Sequence, residues 1–186
     1  VEFHPGTQTA SFSGKASKKI DSTARKLRRW IDRSPFRDFL YNALVEFHEA
    51  FSEPSHSNAF LKAWRLLERL SGVERGEAEK ALRRIVTLFG DEEDVMIFGS
   101  HLLQRRNLLI HGTPIRDFEI SRTSELVRRL VEELIVQLAF NAEGFQRPQE
   151  FWELLDYMRS STPELEARKR RAVQALKRLH KKRSSQ

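Results

Sequence analysis

Cysteine is absent from the 186-residue chain, which removes disulfides, thiolate metal sites and a thiol nucleophile from consideration at once. No apolar run approaches the roughly 20 residues that span a bilayer, and no N-terminal segment has the layout of a signal peptide. Nothing therefore points to secretion, and a cytoplasmic protein without membrane contact is expected. Glycine-rich phosphate loops, paired zinc ligands and a nucleophilic Ser or Cys elbow are also missing, so no metal and no cofactor is expected. The period-two alternation of strands is absent, as is any internal repeat. The chain begins with Val rather than Met, which predicts a processed or truncated product, such as the C-terminal part of a longer protein.

What is present is helical periodicity. Residues 1–19 have glycines and several Ser and Thr but no apolar period, and are expected as an extended or mobile lead-in. Ile20, Ala24, Leu27, Trp30 and Ile31 then recur at helical spacing among Lys and Arg, a narrow stripe suited to docking on a bundle or a partner. Ser34-Pro35 reads as an N-cap followed by proline at N1, and Phe36, Phe39, Leu40, Ala43, Leu44, Phe47 and Phe51 keep one face apolar. A second core helix turns Phe60, Ala63, Trp64, Leu67 and Leu70 inward, with Gly72 closing it. A third, over 77–89, buries Ala78, Ala81, Leu82, Ile85, Val86 and Phe89 and stops at Gly90.

A fourth helix spans 92–111. Asp91-Glu92-Glu93-Asp94 at its start fits a first helical turn, where negative charge meets the positive dipole end; the ligand spacing of a calcium loop is missing. The fifth, over 121–141, buries Val127, Leu130, Val131, Leu134, Ile135, Leu138 and Ala139. Phe151, Trp152, Leu155 and Met158 pack an appended helix over 148–160. Thr162-Pro163-Glu164 starts a last one whose stripe is only Leu165, Ala172, Ala175, Leu176 and Leu179. The pattern predicts an all-α fold, an up-and-down bundle of four to five core helices with additional basic helices at the N- and C-termini. Three segments follow: 1–33 as lead-in and short basic helix, 34–145 as the bundle, and 146–186 as appended helices with a basic tail.

The net charge of +7 is unevenly spread. Glu164 to Gln186 has nine Lys/Arg against two Glu, and Lys15 to Arg33 has eight against two Asp; Ser34 to Pro163 has 16 basic against 21 acidic residues. A mildly acidic bundle thus carries two basic flanks. Contact with nucleic-acid phosphates and two merely solvated helices account equally well for this split.

One stretch departs from an ordinary amphipathic pattern: Arg105-Arg106-Asn107-Leu108-Leu109-Ile110-His111-Gly112. Leu102, Leu103, Leu109 and Ile110 are the helical neighbours of Arg106 at −4, −3, +3 and +4, so its guanidinium must lose water and needs a partner. Glu68, beside Trp64 on the second core helix, is a candidate counter-ion; a surface pair of Glu68 with Arg65 or Arg69 is the alternative. Gly112 suits the left-handed position after a helix, and Pro114 cannot continue one. That places His111 in the last turn, where the negative end of the dipole favours positive charge. Asn107 precedes His111 by one turn, the spacing at which an amide can orient the ring. His111 lies about 140° round an ideal helix from Arg106, so the two do not share a face of a straight helix. Of the other histidines, His4, His48, His56 and His180 have no motif around them, and His101 reads as a flank residue rather than a catalyst.

Arg106-Asn107-x-x-x-His111-Gly112 resembles the Arg-polar-x-x-x-His signature of HEPN domains, small helical bundles many of which are metal-independent endoribonucleases. Ala63-Trp64-Arg65-Leu66-Leu67-Glu68-Arg69-Leu70 is similar to the Trp…Leu-Glu-x-Leu helix of the Apea-like HEPN subgroup, and the likeness covers about residues 35–142. The resemblance implies an active site built at a two-fold dimer, with His111 as base or acid, Arg106 as phosphate ligand, Asn107 orienting His111, and Glu68 and Arg105 in support. It implies RNA as substrate, a homodimer, and a defence or toxin role in which an antitoxin or an upstream domain is a further partner. Cleaving RNA without metal needs a base for the 2′-hydroxyl proton, an acid for the leaving 5′-oxygen and cationic donors for the phosphorane. One chain offers one good histidine, so two copies are needed. A non-catalytic dimerisation or RNA-binding module of a larger protein is the other reading.

Overall fold

Each amphipathic helix has one apolar stripe, and every stripe needs another helix to cover it. The computed structural model describes residues 14–74, 76–89, 92–113 and 115–183; within its helices, the side chains of 14–20, 89, 92–96, 98, 117–118 and 176–183 are not described. Expectations for His4, Ile20, Phe89, Gly90, the side chains of Asp91 to Asp94, Pro114, Leu176, Leu179 and His180 thus lie outside the described residues. In chain order the elements are α1 (Gly14–Arg33), α2 (Arg37–Phe51), α3 (His56–Leu70), α4 (Ala78–Phe89), α5 (Glu92–Ile110), α6 (Asp117–Phe140), α7 (Pro148–Met158) and α8 (Thr162–Arg183). Among the described residues there is no strand, and the fold is an all-α bundle.

α3 has the widest apolar arc, with Ala59, Phe60, Ala63, Trp64, Leu66, Leu67 and Leu70 all buried. Such an arc has to be covered on several sides, and α3 accordingly touches α2, α4, α5 and α6. α6 runs along it and supplies Val127, Val131, Leu134, Ile135 and Leu138 to the core. Burial of each such side chain contributes about 1.5–3 kcal/mol. The Phe60 and Trp64 rings stack with centroids 6.1 Å apart. Ser55 caps the start of α3 by accepting a hydrogen bond from the Asn58 amide at 3.4 Å. Its end is clamped by α7: Trp152 Nε1 donates to the Leu70 carbonyl at 2.8 Å. Gly72 lies beneath that indole with φ +64°, and a Cβ there would fall inside the ring. Both conformation and space therefore require glycine.

Several boundaries depart from the pattern reading. α1 begins at Gly14, inside the expected lead-in. Ile31 at its other end is fully buried and Trp30 packs on Phe140 at 5.0 Å, so a docked C-terminal half lets the Lys- and Ala-containing half propagate as helix. Ser34-Pro35 is a turn, not a cap. Ser34 accepts from the Phe36 amide on Oγ and from the Arg37 amide on its carbonyl, and α2 starts at Arg37. This bend lets Ile31 and Phe36 enter the same core. α6 starts at Asp117, before the expected residue 121, because buried Ile120 extends its stripe by a turn. Met158, expected to pack, is 61% exposed at the last residue of α7, which buries only Phe151 and Leu155. α8 buries none of its described side chains: Leu165, Ala172 and Ala175 are all exposed, as so thin a stripe would permit. No helix among the described residues is long and apolar enough to cross a membrane.

Candidate functional site

Arg106 is where α5 turns a charge toward the bundle. Leu102 is fully buried and Leu103 and Leu109 are half-buried, whereas Ile110 is 51% exposed, so the apolar surround expected on four sides closes on three. Ile110 lies in the final turn of α5, on the side away from the core that Leu109 packs against. The Arg106 side chain remains only 18% exposed, and Glu68, at 7%, supplies the opposite charge from α3. Arg106 Nη2 lies 3.6 Å from Glu68 Oε1, an ion pair beyond hydrogen-bond length. The same oxygen accepts from Trp64 Nε1 at 2.9 Å. The surface alternatives for Glu68 are not taken. Arg69 pairs with Glu46 at 2.7 Å and lies over the Phe39 ring.

The Asn107 side chain is engaged by Arg106. Its Oδ1 accepts from Arg106 Nη1 at 3.1 Å, and a charged guanidinium is the stronger donor for that oxygen. Asn107 and His111 meet through the backbone, the His111 amide donating to the Asn107 carbonyl at 3.0 Å. The helix end is otherwise as expected. The Gly112 amide donates to Leu109 and the Thr113 amide to Leu108, a paired closure that needs the left-handed Gly112, φ +72°. His111 occupies the cap position between helix and glycine, with its side chain exposed. It shares an exposed face of α5 with Ile97, His101 and Gln104. Arg105 belongs to neither place: its Nη1 donates to Glu119 at 2.7 Å, bracing α5 against α6.

On the other side Arg106 and Asn107 line a groove of about 680 Å³ between α4, α5, α7 and α8. Lys80, Arg83, Arg159 and Arg168 line it too, with Glu77, Glu79 and Asp156 as its acids. His111 is not among the lining residues. Asp156 is already engaged: Arg84 grips it through two hydrogen bonds, Nε to Oδ1 at 2.8 Å and Nη2 to Oδ2 at 2.7 Å. Hydrogen bonding from Arg84 holds the Asp156 carboxyl below its ordinary value against the opposing effect of burial. Arg84 Nη1 also donates to the Ser71 and Gly72 carbonyls at 2.6 and 2.9 Å. One guanidinium thereby ties α4 to the end of α3 and to α7. Pattern reading passed over Arg84, which looks like the polar edge of a stripe; its partners are 12 to 72 residues away.

The structure thus gathers Arg106, Asn107 and Glu68 into one cluster and leaves His111 and Arg105 outside it. As chemistry, the cluster offers a positively charged planar donor set, partly paired, facing a basic groove; a proton-transfer group is offered separately at the exposed end of the same helix. No family model matches the chain, and no curated protein or solved structure shows significant similarity to it.

Proposed function

We propose that the protein is a metal-independent endoribonuclease of HEPN type, working as a two-fold dimer. The observation that carries this reading is the state of Arg106: a guanidinium largely removed from water, paired with Glu68 at 3.6 Å rather than hydrogen-bonded to it, and with Nε lacking any hydrogen-bond partner among the described residues. A guanidinium held in place but left short of acceptors suits an anion better than it suits the fold.

In the proposed reaction a histidine takes the proton from a ribose 2′-hydroxyl. The oxygen attacks the adjacent phosphorus, the P–O5′ bond breaks, and the leaving 5′-oxygen takes a proton from an acid. The products are a 2′,3′-cyclic phosphate and a 5′-hydroxyl end. Arg106 holds the non-bridging oxygens as charge builds on them, with Asn107 and Glu68 as positioning residues for its fork. His111 serves as base or acid, and a second copy covering the exposed face of α5 supplies the second histidine. Arg105 supports α5 from the α6 side. A defence or toxin–antitoxin setting, with an antitoxin or an upstream domain as partner, belongs to this same reading.

Incubation of purified protein with RNA, with and without a chelator, tests it. Cleavage that persists in chelator and disappears in His111→Ala is expected; normal cleavage by His111→Ala overturns the reading. The same assay separates it from a non-catalytic dimerisation or RNA-binding module of a larger protein. One observation favours that second reading: Arg106 and His111 open to different sides of α5. It requires RNA binding without cleavage both in the parent chain and in His111→Ala.

A further inference from the structure

The groove beside Arg106 has a composition that its position in the fold does not require. Its cations come from four separate stretches of chain: Lys80 and Arg83 from α4, Arg106 from α5, Arg159 just after α7, and Arg168 from α8. Against them stand three carboxylates, and these are occupied. Asp156 is held by two hydrogen bonds from buried Arg84. Glu77 accepts from the Glu74 amide and from Lys80. Glu79 lies 3.7 Å from Arg83. With Asp156 paired to Arg84 and Arg106 paired to Glu68, both partners outside the groove lining, four positive charges face two negative ones. α4 also opens at this groove, since Gly76, Glu77 and Ala78 line it, so the positive end of that helix dipole adds to the field.

The lining is equally informative in what it omits. Among the described residues no aromatic ring lines the groove, and the nearby Tyr157 ring is covered by the Arg168 guanidinium at 5.1 Å, so a base entering it would find guanidinium planes but no open aromatic ring, the usual platform for unstacked bases. We infer that this groove takes the sugar–phosphate backbone of a single-stranded RNA, leading it between α4 and α8 to Arg106, with the bases turned outward and unread. The groove then determines the direction from which the strand reaches Arg106, and recognition there is independent of base sequence. The inference rests on the RNA reading above, but it concerns binding within one protomer and does not need His111 or cleavage.

The test is fluorescence-anisotropy binding of a labelled 12-nucleotide oligouridylate and a mixed-sequence strand of equal length, at several salt concentrations, using the full chain carrying His111→Ala so that no substrate is consumed. On that background, Arg83→Glu with Arg168→Glu is compared with Arg129→Glu with Arg147→Glu, two exposed arginines outside the groove. The groove pair should weaken binding at least about tenfold at low salt and reduce the slope of log K against log salt by about 0.7 for each lost contact, whereas the control pair should lose far less. The two strands should bind within a few-fold of each other. Equal losses in the two variant pairs would make the effect one of net charge and overturn the assignment, as would a strong preference for one sequence. Binding of a poly-glutamate peptide, but not of RNA, that the groove pair abolishes would assign the groove to an acidic protein segment instead. Cleavage that survives His111→Ala, with groove-dependent binding intact, would remove the catalytic reading and leave this one standing.

Discussion

Substituting Glu68 distinguishes a paired Arg106 from one that is merely nearby. Glu68→Gln keeps an oxygen that can accept from Trp64 Nε1, now at 2.9 Å, and deletes only the charge facing Arg106. Removing one member of a fully buried ion pair costs roughly 3–5 kcal/mol. The 3.6 Å separation and the 18% exposure of Arg106 bring the expected loss for Glu68→Gln down to about 1–3 kcal/mol. Glu68→Ala should be worse by at least about 1 kcal/mol, because it also strands the buried indole N–H and leaves a cavity beside Trp64. The decisive quantity is a coupling. Arg106→Gln alone leaves Glu68 as an uncompensated buried carboxylate, so Glu68→Gln with Arg106→Gln should be less destabilised than the sum of the two single changes by about 1 kcal/mol or more. Urea denaturation followed by tryptophan fluorescence and circular dichroism measures all four corners of the cycle. Strict additivity would refute the pairing, and with it the claim that Arg106 is held in place from α3.

Gly72→Ala should destabilise by well over 1 kcal/mol, since it combines a left-handed φ with displacement of the Trp152 ring; a melting temperature within a degree of the parent would contradict the close approach. Asp156 makes stability sensitive to acid. Its folded pKa is lowered by Arg84, so its contribution is complete above the ordinary aspartate value of about 3.9 and is lost as pH falls through that value and the lower folded one. Urea midpoints from neutral pH to pH 3 should show this, with Asp156→Asn weaker at neutrality and flatter toward acid. Ending the chain after Ser161 removes Arg168 and the rest of α8, and should flatten the salt dependence of RNA binding while leaving turnover at saturating RNA largely intact, provided both chains have the same oligomeric state. An unchanged slope would make α8 a solvated or protein-docking helix.

What could be read in advance follows the range of the interactions involved. Core helices were legible because their apolar residues recur every three or four positions: Phe60, Ala63, Trp64, Leu67 and Leu70 are all buried as the period requires. The end of α5 was legible for the same local reason, a glycine able to take positive φ directly after the helix. The Ser34-Pro35 cap was misplaced because a cap and a turn use the same residues, and only the burial of both Ile31 and Phe36 chooses between them. Asn107 was assigned to His111 by helical spacing, yet its neighbour Arg106 claims the amide oxygen, a competition between side chains that spacing does not rank. The groove could not be read at all. Arg83, Arg106 and Arg168 each look like an ordinary helical cation until packing brings them to one place.

Three arginines are substantially withdrawn from water, and comparing them shows why only one suggests function. Arg84 is nearly filled: four of its five N–H donors are used, on a carboxylate and two carbonyls, and the bonds run from 2.6 to 2.9 Å. Such a guanidinium has little left for a ligand, and removing it would unpin α3, α4 and α7 together. Arg69 leaves Nε and Nη2 unpaired, but it carries a 2.7 Å bridge to Glu46 and lies 5.3 Å from the centroid of the Phe39 ring, whose face offsets part of the missing acceptors. Arg106 has no ring contact and no carboxylate within hydrogen-bond length among the described residues. Its partners hold the fork in place without filling it, and the surface it faces is a basic groove. A fold under selection for stability alone would either complete that cluster, as it does at Arg84, or replace the arginine by an apolar residue of similar volume, which is often at least as stable. An incompletely satisfied arginine kept beside a basic groove is the pattern expected when the missing acceptors are phosphate oxygens.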